Sequence, residues 1–220
     1  DNIDLLINKK AKNAILWAGR FIDWKHPEFC VFLAEALKNE GYTFEINMIG
    51  TGEMRESIQK MIEARGLEQY IHLLGSMPPQ TVRDHMENSF IYLVTSNRVE
   101  GWGAVLNESM NSACAVVAGS LVGAAPFLIE DGENGLIFRN DDIDDLIFKV
   151  KNLLDDPMLA KKCGKNAYAT IKDNWNYQTA AHNLFALIES IENRTTVNSI
   201  KGPCQPAPII SDNWYDGKKV

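Results

Sequence analysis

The stretch FIYLVTSNRVEGWGAVLNE, residues 90–108, combines an apolar run, a glycine-rich turn and the start of a helix. The opening run FIYLVTS is typical of a strand that is covered on both faces of a sheet. The chain then passes Glu100, turns through Gly101-Trp102-Gly103 and continues as a helix that carries Glu108. A strand followed by a turn and a helix is the unit from which parallel sheets are built. This stretch therefore predicts an α/β fold.

The rest of the chain repeats this alternation. Apolar runs predict strands at 13–18, 42–49, 71–75, 90–95, 115–118 and 135–138. Helical spacing predicts helices at 27–39, 53–65, 79–88 and 103–113, and then a helical C-terminal segment at 141–154, 157–171 and 175–191. We therefore expect a Rossmann-like, doubly wound parallel sheet of about six strands.

The chain divides into three parts by pattern. We interpret residues 1–12 as a linker from an N-terminal domain that precedes this one, and 13–194 as the Rossmann-like nucleotide-sugar-binding domain. Residues 195–220 are rich in proline and have no clear period, so we expect an irregular tail that lies on the domain or is partly disordered.

Composition excludes several classes of function. The net charge of −7 argues against a general nucleic-acid or anionic-membrane surface, and no apolar run approaches the roughly 20 residues of a membrane span. The four cysteines lack metal-ligand spacing, so we expect no metal site and mostly buried free thiols in a reducing compartment. These features predict a cytoplasmic location, with a peripheral association with the membrane left open for the full-length enzyme.

Glycines and charged residues follow four of the predicted strands. Gly19, Arg20 and Lys25 follow the first strand, Gly50 and Gly52 the second, Gly75 the third, and Glu100 the fourth. Ligands of open α/β sheets bind beyond the carboxyl ends of the strands, so these residues converge on one candidate site.

Each of these features also has a plain structural explanation. The glycines of the GTGEMR stretch, residues 50–55, serve either a tight turn or close approach of a ligand, and they lack the third glycine of the dinucleotide fingerprint. Arg20 and Lys25 are either surface charges or two cations for a diphosphate. For His26 we expect exposure to solvent, the alternative being a phosphate contact.

The glycine-rich turn before Glu108 suits an anion. Free N–H groups at the start of a helix attract anions, and Gly101 and Gly103 allow close approach of a ligand to the backbone. With Glu100 above the sheet and Glu108 about 7.5 Å along the helix, the arrangement fits a ligand with an anionic middle and hydroxyl groups at both ends. A nucleotide-sugar has this form, and a glycosidase-type carboxylate pair fits less well. Glutamates that are merely solvated beside a turn are the alternative.

In order, the stretches GRFIDWKHPE, IGTGEMRESI, IHLLGSM, EGWGAVLNE and DGENGLIF resemble a known family. The chain resembles the C-terminal, donor-binding half of retaining glycosyltransferases of the GT-B fold, in the group 1 or family 4 type. The resemblance runs from about residue 13 to 191, and the two glutamates separated by seven residues are its most specific feature.

The resemblance implies a role for each site residue. It assigns Arg20 and Lys25 to the donor diphosphate, Glu100 to the transferred sugar as the catalytic position, and Glu108 to the ribose hydroxyls. The backbone of Gly101, Trp102 and Gly103 would face the sugar and phosphate, and the base would lie near Leu74 and Gly75. Gly19, Gly50 and Gly52 complete the predicted nucleotide site.

The resemblance further implies a hexosyltransferase type of enzyme that needs no cofactor. Its donor is a nucleoside-diphosphate sugar, with a UDP-sugar as the first candidate, and its acceptor is a sugar, lipid or protein. A role in polysaccharide biosynthesis is a further implication. Because the acceptor would be bound by a separate N-terminal domain, we expect the isolated chain to be inactive.

The chain departs from the family pattern in the loop after the fifth strand. This loop lacks the expected acid, because Gly123-Ala-Ala-Pro126-Phe127 stands where Gly-Gly-x-Pro-Glu is common. The departure puts in doubt a donor-sugar contact from that loop. A sugar-nucleotide epimerase of the same fold and a non-catalytic nucleotide-binding module are the alternative functions.

Overall fold

The computed structural model describes residues 3–195, 200–207, 209–211 and 214–215. Six strands form one parallel sheet in the order β3-β2-β1-β4-β5-β6. The strands are β1 Ala11–Ala18, β2 Glu45–Ile49, β3 Ile71–Gly75, β4 Ser89–Val94, β5 Ala115–Gly119 and β6 Leu136–Phe138. This is the Rossmann-like, doubly wound order, and it confirms the predicted fold class.

The described residues contain nine α-helices and a short 3-10 helix, Asp23–Lys25. The α-helices are α1 Ile3–Lys9, α2 Glu28–Asn39, α3 Arg55–Ala64, α4 Pro79–Asn88, α5 Ala104–Asn111, α6 Ala125–Leu128, α7 Ile143–Asp155, α8 Pro157–Asp173 and α9 Tyr177–Asn193. Side chains cap the last three: Asp142, Asp156 and Asn176 each accept a bond from a backbone N–H in the following turn.

The sheet separates two hydrophobic cores, because successive side chains of a strand point to opposite faces. In β1, Ile15 and Trp17 pack in one core, and Leu16 packs in the other. The first core includes side chains of α2, α3 and α7, and the second includes side chains of α5, α6 and α8. Cys30, Cys114 and Cys163 are buried free thiols, as expected, and Cys204 is an exposed free thiol.

The segment 1–12, which we predicted to be a linker, has regular structure in its described part. It forms α1, which contacts α8, and the first two residues of β1. Its Lys10 is buried, and its ammonium donates to the carbonyls of Met86 and Ser89. Burial of the ammonium lowers the pKa of Lys10. Ile7 is the buried residue of this short helix, so the sequence showed no helical period in this segment.

Described parts of the tail pack on the domain. The indole N–H of Trp214 donates to the carbonyl of Ser120, and the hydroxyl of Tyr215 donates to Asp131. Asp131 also pairs with the buried Lys149, whose ammonium lies 3.1 Å from the Tyr215 hydroxyl. The remaining tail residues of the prediction, 196–199, 208, 212–213 and 216–220, lie outside the described residues.

Candidate active site

The loops that follow β1 and β4 meet at the carboxyl edge of the sheet. These two strands are neighbours, and the chain's strand order changes direction between them. Thr95 joins the loops, because its hydroxyl donates to the carbonyl of Lys25 and accepts from the Trp17 indole N–H at 2.9 Å. The N–H of Asn97 donates to the carbonyl of Trp24 at 2.9 Å. Residues from both loops are thereby fixed in one place, which is where sheets of this kind bind ligands.

Lys25 and Glu100, which we predicted as separate contacts for phosphate and sugar, form an ion pair. Their side chains are only 19% and 17% exposed, so the pair is largely desolvated. The paired oxygen of Glu100 is buried and makes no hydrogen bond with the described residues, so Lys25 is the source of its stabilisation. A ligand with a phosphate at this place would share the Lys25 ammonium with the carboxylate.

Arg20 differs from Lys25 in its surroundings. It is exposed, and its guanidinium lies 5.8 Å from the ring centroid of Trp24. No ion pair with an acidic residue is found for Arg20 among the described parts of the chain. The edge therefore carries a guanidinium whose charge is available to an anion in solution.

Gly50 and Gly52 have a structural explanation. A Cβ atom on Gly50 would lie 1.9 Å from the carbonyl oxygen of Gly19, and one on Gly52 would lie 2.5 Å from the carbonyl oxygen of Phe21. The loops after β1 and β2 are also joined by a hydrogen bond from the Phe21 N–H to the Thr51 carbonyl. Close contact between these two loops, rather than a ligand, already requires glycine at both positions.

Gly101 is different, because no atom lies within 4 Å of a Cβ built there. Gly103 precedes α5 in a left-handed conformation with φ 77°, and a Cβ there would lie 3.5 Å from the Cγ of Glu100. Gly123, in the loop that departs from the family pattern, packs below, because its Cβ would lie 1.9 Å from the Gly101 carbonyl oxygen. The turn is supported from one side, and Gly101 is open to approach by another molecule.

The side chain of Trp102 packs beside this turn. Its ring contacts Phe127 and Trp175 at centroid distances of 5.7 and 5.4 Å, and its N–H donates to Asn107. Trp102 as a whole is 39% exposed. The side chain of Trp102 is therefore engaged in aromatic packing. The predicted contact of Trp102 with a donor is one through its backbone, which this packing does not involve.

Glu108 is exposed and lines a groove of about 510 Å³ between α4 and α5. Met77, from the loop after β3, lines the same groove. Leu74 packs its partly buried side chain against the second core, and Gly75, with φ 77°, has no atom within 4 Å of a Cβ position. The other residues of the groove come from the two helices and were not indicated by any sequence pattern: Pro79, Gln80, Val82, Arg83, Met86 and Asn111.

His26 is largely buried, so the expectation that it is exposed was wrong. Its side chain is only 18% exposed, and its Nδ1 lies 2.8 Å from Glu28 Oε1. The bond to Glu28 raises the pKa of His26, although burial of the ring opposes this effect. The other ring nitrogen lies 3.1 Å from the amide nitrogen of Asn97. Asn97 was not identified from the sequence, and its only signal was a position just after a buried strand.

The described residues contain neither a potential metal cluster nor a helix that could span a membrane. No group of three or more potential metal ligands occurs in the part of the chain that the structure describes. No helix within those ranges has both the length and the apolar character needed to cross a membrane.

The fold is that of the Rossmann-like domains of GT-B glycosyltransferases. Residues 4–170 match the model of the family described as "Glycosyl transferases group 1". The chain therefore belongs to this family of glycosyltransferases.

One relative and two solved structures illustrate the similarity. The chain is 26% identical over 174 residues to a poly(ribitol-phosphate) alpha-N-acetylglucosaminyltransferase of Staphylococcus aureus. The match covers 78% of this chain and 34% of the relative. TarM of S. aureus, solved with UDP among its ligands, superposes with a TM-score of 0.72 at 24% identity over 84% of this chain and 35% of that chain. The C-terminal domain of the group 1 protein LpcC of Francisella tularensis gives a TM-score of 0.68 at 22% identity over 78% and 92% of the two chains.

The likeness to these solved structures is one of fold. The chain also differs in length from its relatives, because it spans 34% to 49% of the length of four curated relatives that it matches.

Proposed function

We propose that this domain binds the nucleoside-diphosphate-sugar donor of a retaining glycosyltransferase. The observation that carries the proposal is the convergence of four features at one edge of the sheet. These are the exposed Arg20, the Lys25–Glu100 pair, the open turn at Gly101 before α5, and the groove that contains Glu108.

The edge offers a partner for each part of such a donor. The diphosphate would lie against Arg20 and Lys25 and near the N–H groups at the start of α5, which favour an anion. Glu108 would accept bonds from the ribose hydroxyls, and the base would enter the groove beside Met77. Glu100 would lie at the transferred sugar. We propose a UDP-sugar as the donor, and the UDP found with the similarly folded TarM supports this choice.

In the proposed reaction, the bond between the anomeric carbon and the diphosphate oxygen breaks as the acceptor oxygen bonds to the same carbon. The proton of the acceptor hydroxyl goes to the departing diphosphate. Arg20, Lys25 and the backbone N–H groups would stabilise the negative charge that grows on this leaving group, which is electrostatic preorganisation. Glu100 would orient the sugar, so that transfer on one face retains the anomeric configuration.

We propose that the acceptor is held by another domain of the same enzyme. The short span relative to the curated matches supports this, and so does α9. This helix exposes an apolar face made of Leu184, Phe185, Ile188 and Ile191. Exposed apolar patches of this kind mark interaction surfaces. The 220-residue chain would accordingly bind donor without transferring sugar.

Calorimetry with the 220-residue chain tests the donor assignment. UDP should bind, and uridine should bind at least tenfold more weakly, because a charge-assisted hydrogen bond contributes about 1.5–3 kcal/mol. ADP and GDP in parallel titrations determine the base preference. If none of the nucleoside diphosphates binds to the folded chain, the proposal is wrong.

An activity assay separates the alternatives. The chain is incubated with a radiolabelled UDP-sugar and simple acceptors, and the products are resolved by chromatography. We expect neither transfer nor epimerisation. Transfer by the chain alone would contradict the separate acceptor domain, and an epimerised sugar would favour the epimerase. The non-catalytic module would be favoured if a longer parent protein that contains this chain also showed no transfer.

A further inference from the structure

His26 and Asn97 connect the two loops that carry Lys25 and Glu100. Asn97 uses each of its polar groups. Its N–H donates to the Trp24 carbonyl, its carbonyl accepts from the Glu100 N–H, and its side-chain oxygen accepts from the Val99 N–H, at 2.9, 3.0 and 3.0 Å. The remaining group, the side-chain NH₂, lies 3.1 Å from His26 Nε2. The imidazole therefore meets the residue that organises the turn before Glu100.

These contacts determine which ring nitrogen carries the proton. Because the Asn97 oxygen already accepts from Val99, its NH₂ group faces the ring as a donor. Nε2 must then be an acceptor, so the proton of the neutral ring lies on Nδ1 and is donated to Glu28. A doubly protonated ring would place two donors opposite each other at 3.1 Å.

His26 adopts a conformation that is rare for its residue type. Its φ of 46° lies in the left-handed region, which costs roughly 1–2 kcal/mol for a residue with a Cβ atom. The ring stacks on Phe29 at a centroid distance of 5.0 Å. Contacts of the ring with Phe29, Glu28 and Asn97 stabilise the residue that directly follows Lys25.

We propose that His26 and Asn97 are positioning residues that hold the Lys25 turn against the Glu100 loop, and that this connection requires the neutral imidazole. The connection itself stands on the geometry of the ligand-free chain. Its consequence for donor binding rests on the proposed function.

Acidic side chains surround the ring and favour its protonation. Glu28 from α2 is the closest, Asp141 from the loop after β6 lies 3.5 Å from Nε2, and Asp23 belongs to the 3-10 helix. The second carboxylate oxygen of Glu28 is buried without a hydrogen bond among the described residues. Lys25, the residue before His26, is paired with Glu100.

The direction of the pH effect follows from these charges. The pKa of His26 is raised, mainly by the bond to Glu28. As the pH falls through this pKa, Nε2 gains a proton, loses the Asn97 donor as a partner and turns to Asp141. The Lys25–Glu100 arrangement loosens, so donor affinity should be highest above the pKa and fall below it.

Nuclear magnetic resonance on the ligand-free chain tests the connection directly. The His26 ring and the amides of Val99 and Glu100 should titrate together, with a midpoint above the usual value of 6.5. His26→Gln should remove the step from both amides. His182→Gln, an exposed histidine on α9, is the matched control and should leave the step unchanged.

With Asn97→Asp, the connection should favour the protonated imidazole instead of the neutral one. The new carboxylate can accept from both Val99 N–H and protonated Nε2, so the connection should persist at low pH and the His26 midpoint should move further up. The added charge beside the ring raises the midpoint in any case, so the discriminating readout is whether the Val99 and Glu100 amides keep their high-pH chemical shifts below the midpoint in this variant. If the two amides do not follow His26, or if they lose these shifts below the midpoint in Asn97→Asp, the connection is absent.

Calorimetry with UDP tests the consequence. Affinity should decrease on the order of tenfold from above to below the His26 midpoint, which corresponds to the loss of one hydrogen bond. The phosphate of UDP also titrates in this range. The change of UDP affinity with pH is therefore compared between the unmodified chain and His26→Gln, which should retain only the change that the phosphate causes. If UDP affinity changes equally with pH in both proteins, the predicted effect of His26 on donor binding is wrong. Absence of UDP binding at every pH would reject the proposed function and leave the resonance result to decide on the connection.

Discussion

Lys25 and Glu100 pair across the gap between the β1 and β4 loops, and both side chains are largely withdrawn from solvent. A residue expected at the diphosphate and a residue expected at the sugar are therefore neighbours before any donor arrives. The lysine has a structural role in addition to any role in binding, and substitutions at this pair must be interpreted with both roles in mind.

Lys25→Ala should lower the free energy of unfolding by about 1–3 kcal/mol, because it leaves the Glu100 carboxylate buried without its cation. Glu100→Gln should be destabilising as well, whereas the double variant should cost less than the sum of the two. Urea denaturation of the four proteins measures this coupling. Strictly additive costs would mean that the pair contributes nothing to stability.

Arg20→Ala separates binding from folding better than any change at Lys25, because the guanidinium is exposed. We expect unchanged stability, UDP affinity reduced on the order of tenfold or more, and unchanged affinity for uridine. Lys12→Ala is the matched control, since Lys12 is an exposed cation at the opposite end of β1. Calorimetry with both ligands measures the effect, and an equal loss for uridine and UDP would contradict a diphosphate contact.

Alanine substitutions at Gly101 and Gly50 distinguish a glycine that allows a ligand to approach from one that close packing requires. Gly101→Ala should change the free energy of unfolding by no more than about 0.5 kcal/mol, because the added methyl group meets no atom within 4 Å. It should nevertheless weaken UDP-sugar binding if the donor passes over this backbone. Gly50→Ala should destabilise strongly, because its Cβ would lie 1.9 Å from the Gly19 carbonyl oxygen. Thermal unfolding and calorimetry on both variants test this, and normal binding by Gly101→Ala would show that the donor lies elsewhere.

The parallel sheet could be predicted because each strand is a short apolar run and the longer helices each show a helical period, whereas the short helices α1 and α6 do not. This information is local, and the six strands were all found, with ends that differ by a few residues. Convergence of the site residues followed from topology alone, since the carboxyl ends of parallel strands share one edge.

Contacts between loops could not be predicted in the same way. The Lys25–Glu100 pair, the His26–Asn97 contact and the packing of Gly50 on Gly19 depend on loop conformations that no periodicity encodes. Composition favoured exposure for His26, whereas Glu28 and Asn97 hold it in the interior. Contacts between loops at this edge are therefore the part of the candidate site that the sequence could not predict.

Substitution of Glu108 tests whether the groove between α4 and α5 binds a ribose. Its carboxylate is exposed in that groove, and an ionised carboxylate can accept bonds from both ribose hydroxyls, whereas an amide has one oxygen to offer. Glu108→Gln should therefore weaken UDP binding by about 1–3 kcal/mol.

The decisive quantity is the coupling between Glu108 and the 2′-hydroxyl. Calorimetry with UDP and 2′-deoxy-UDP on both proteins completes a thermodynamic cycle, and the Glu108→Gln penalty should be clearly smaller for the deoxy ligand, because one of the two partners is already absent. Glu68→Gln is the matched control, since it changes an exposed glutamate that precedes β3, at the opposite edge of the sheet. Circular dichroism must first show that the helix content of Glu108→Gln is unchanged. A coupling near zero in a folded variant would mean that Glu108 does not hold the ribose, and the groove beside it would then need another ligand.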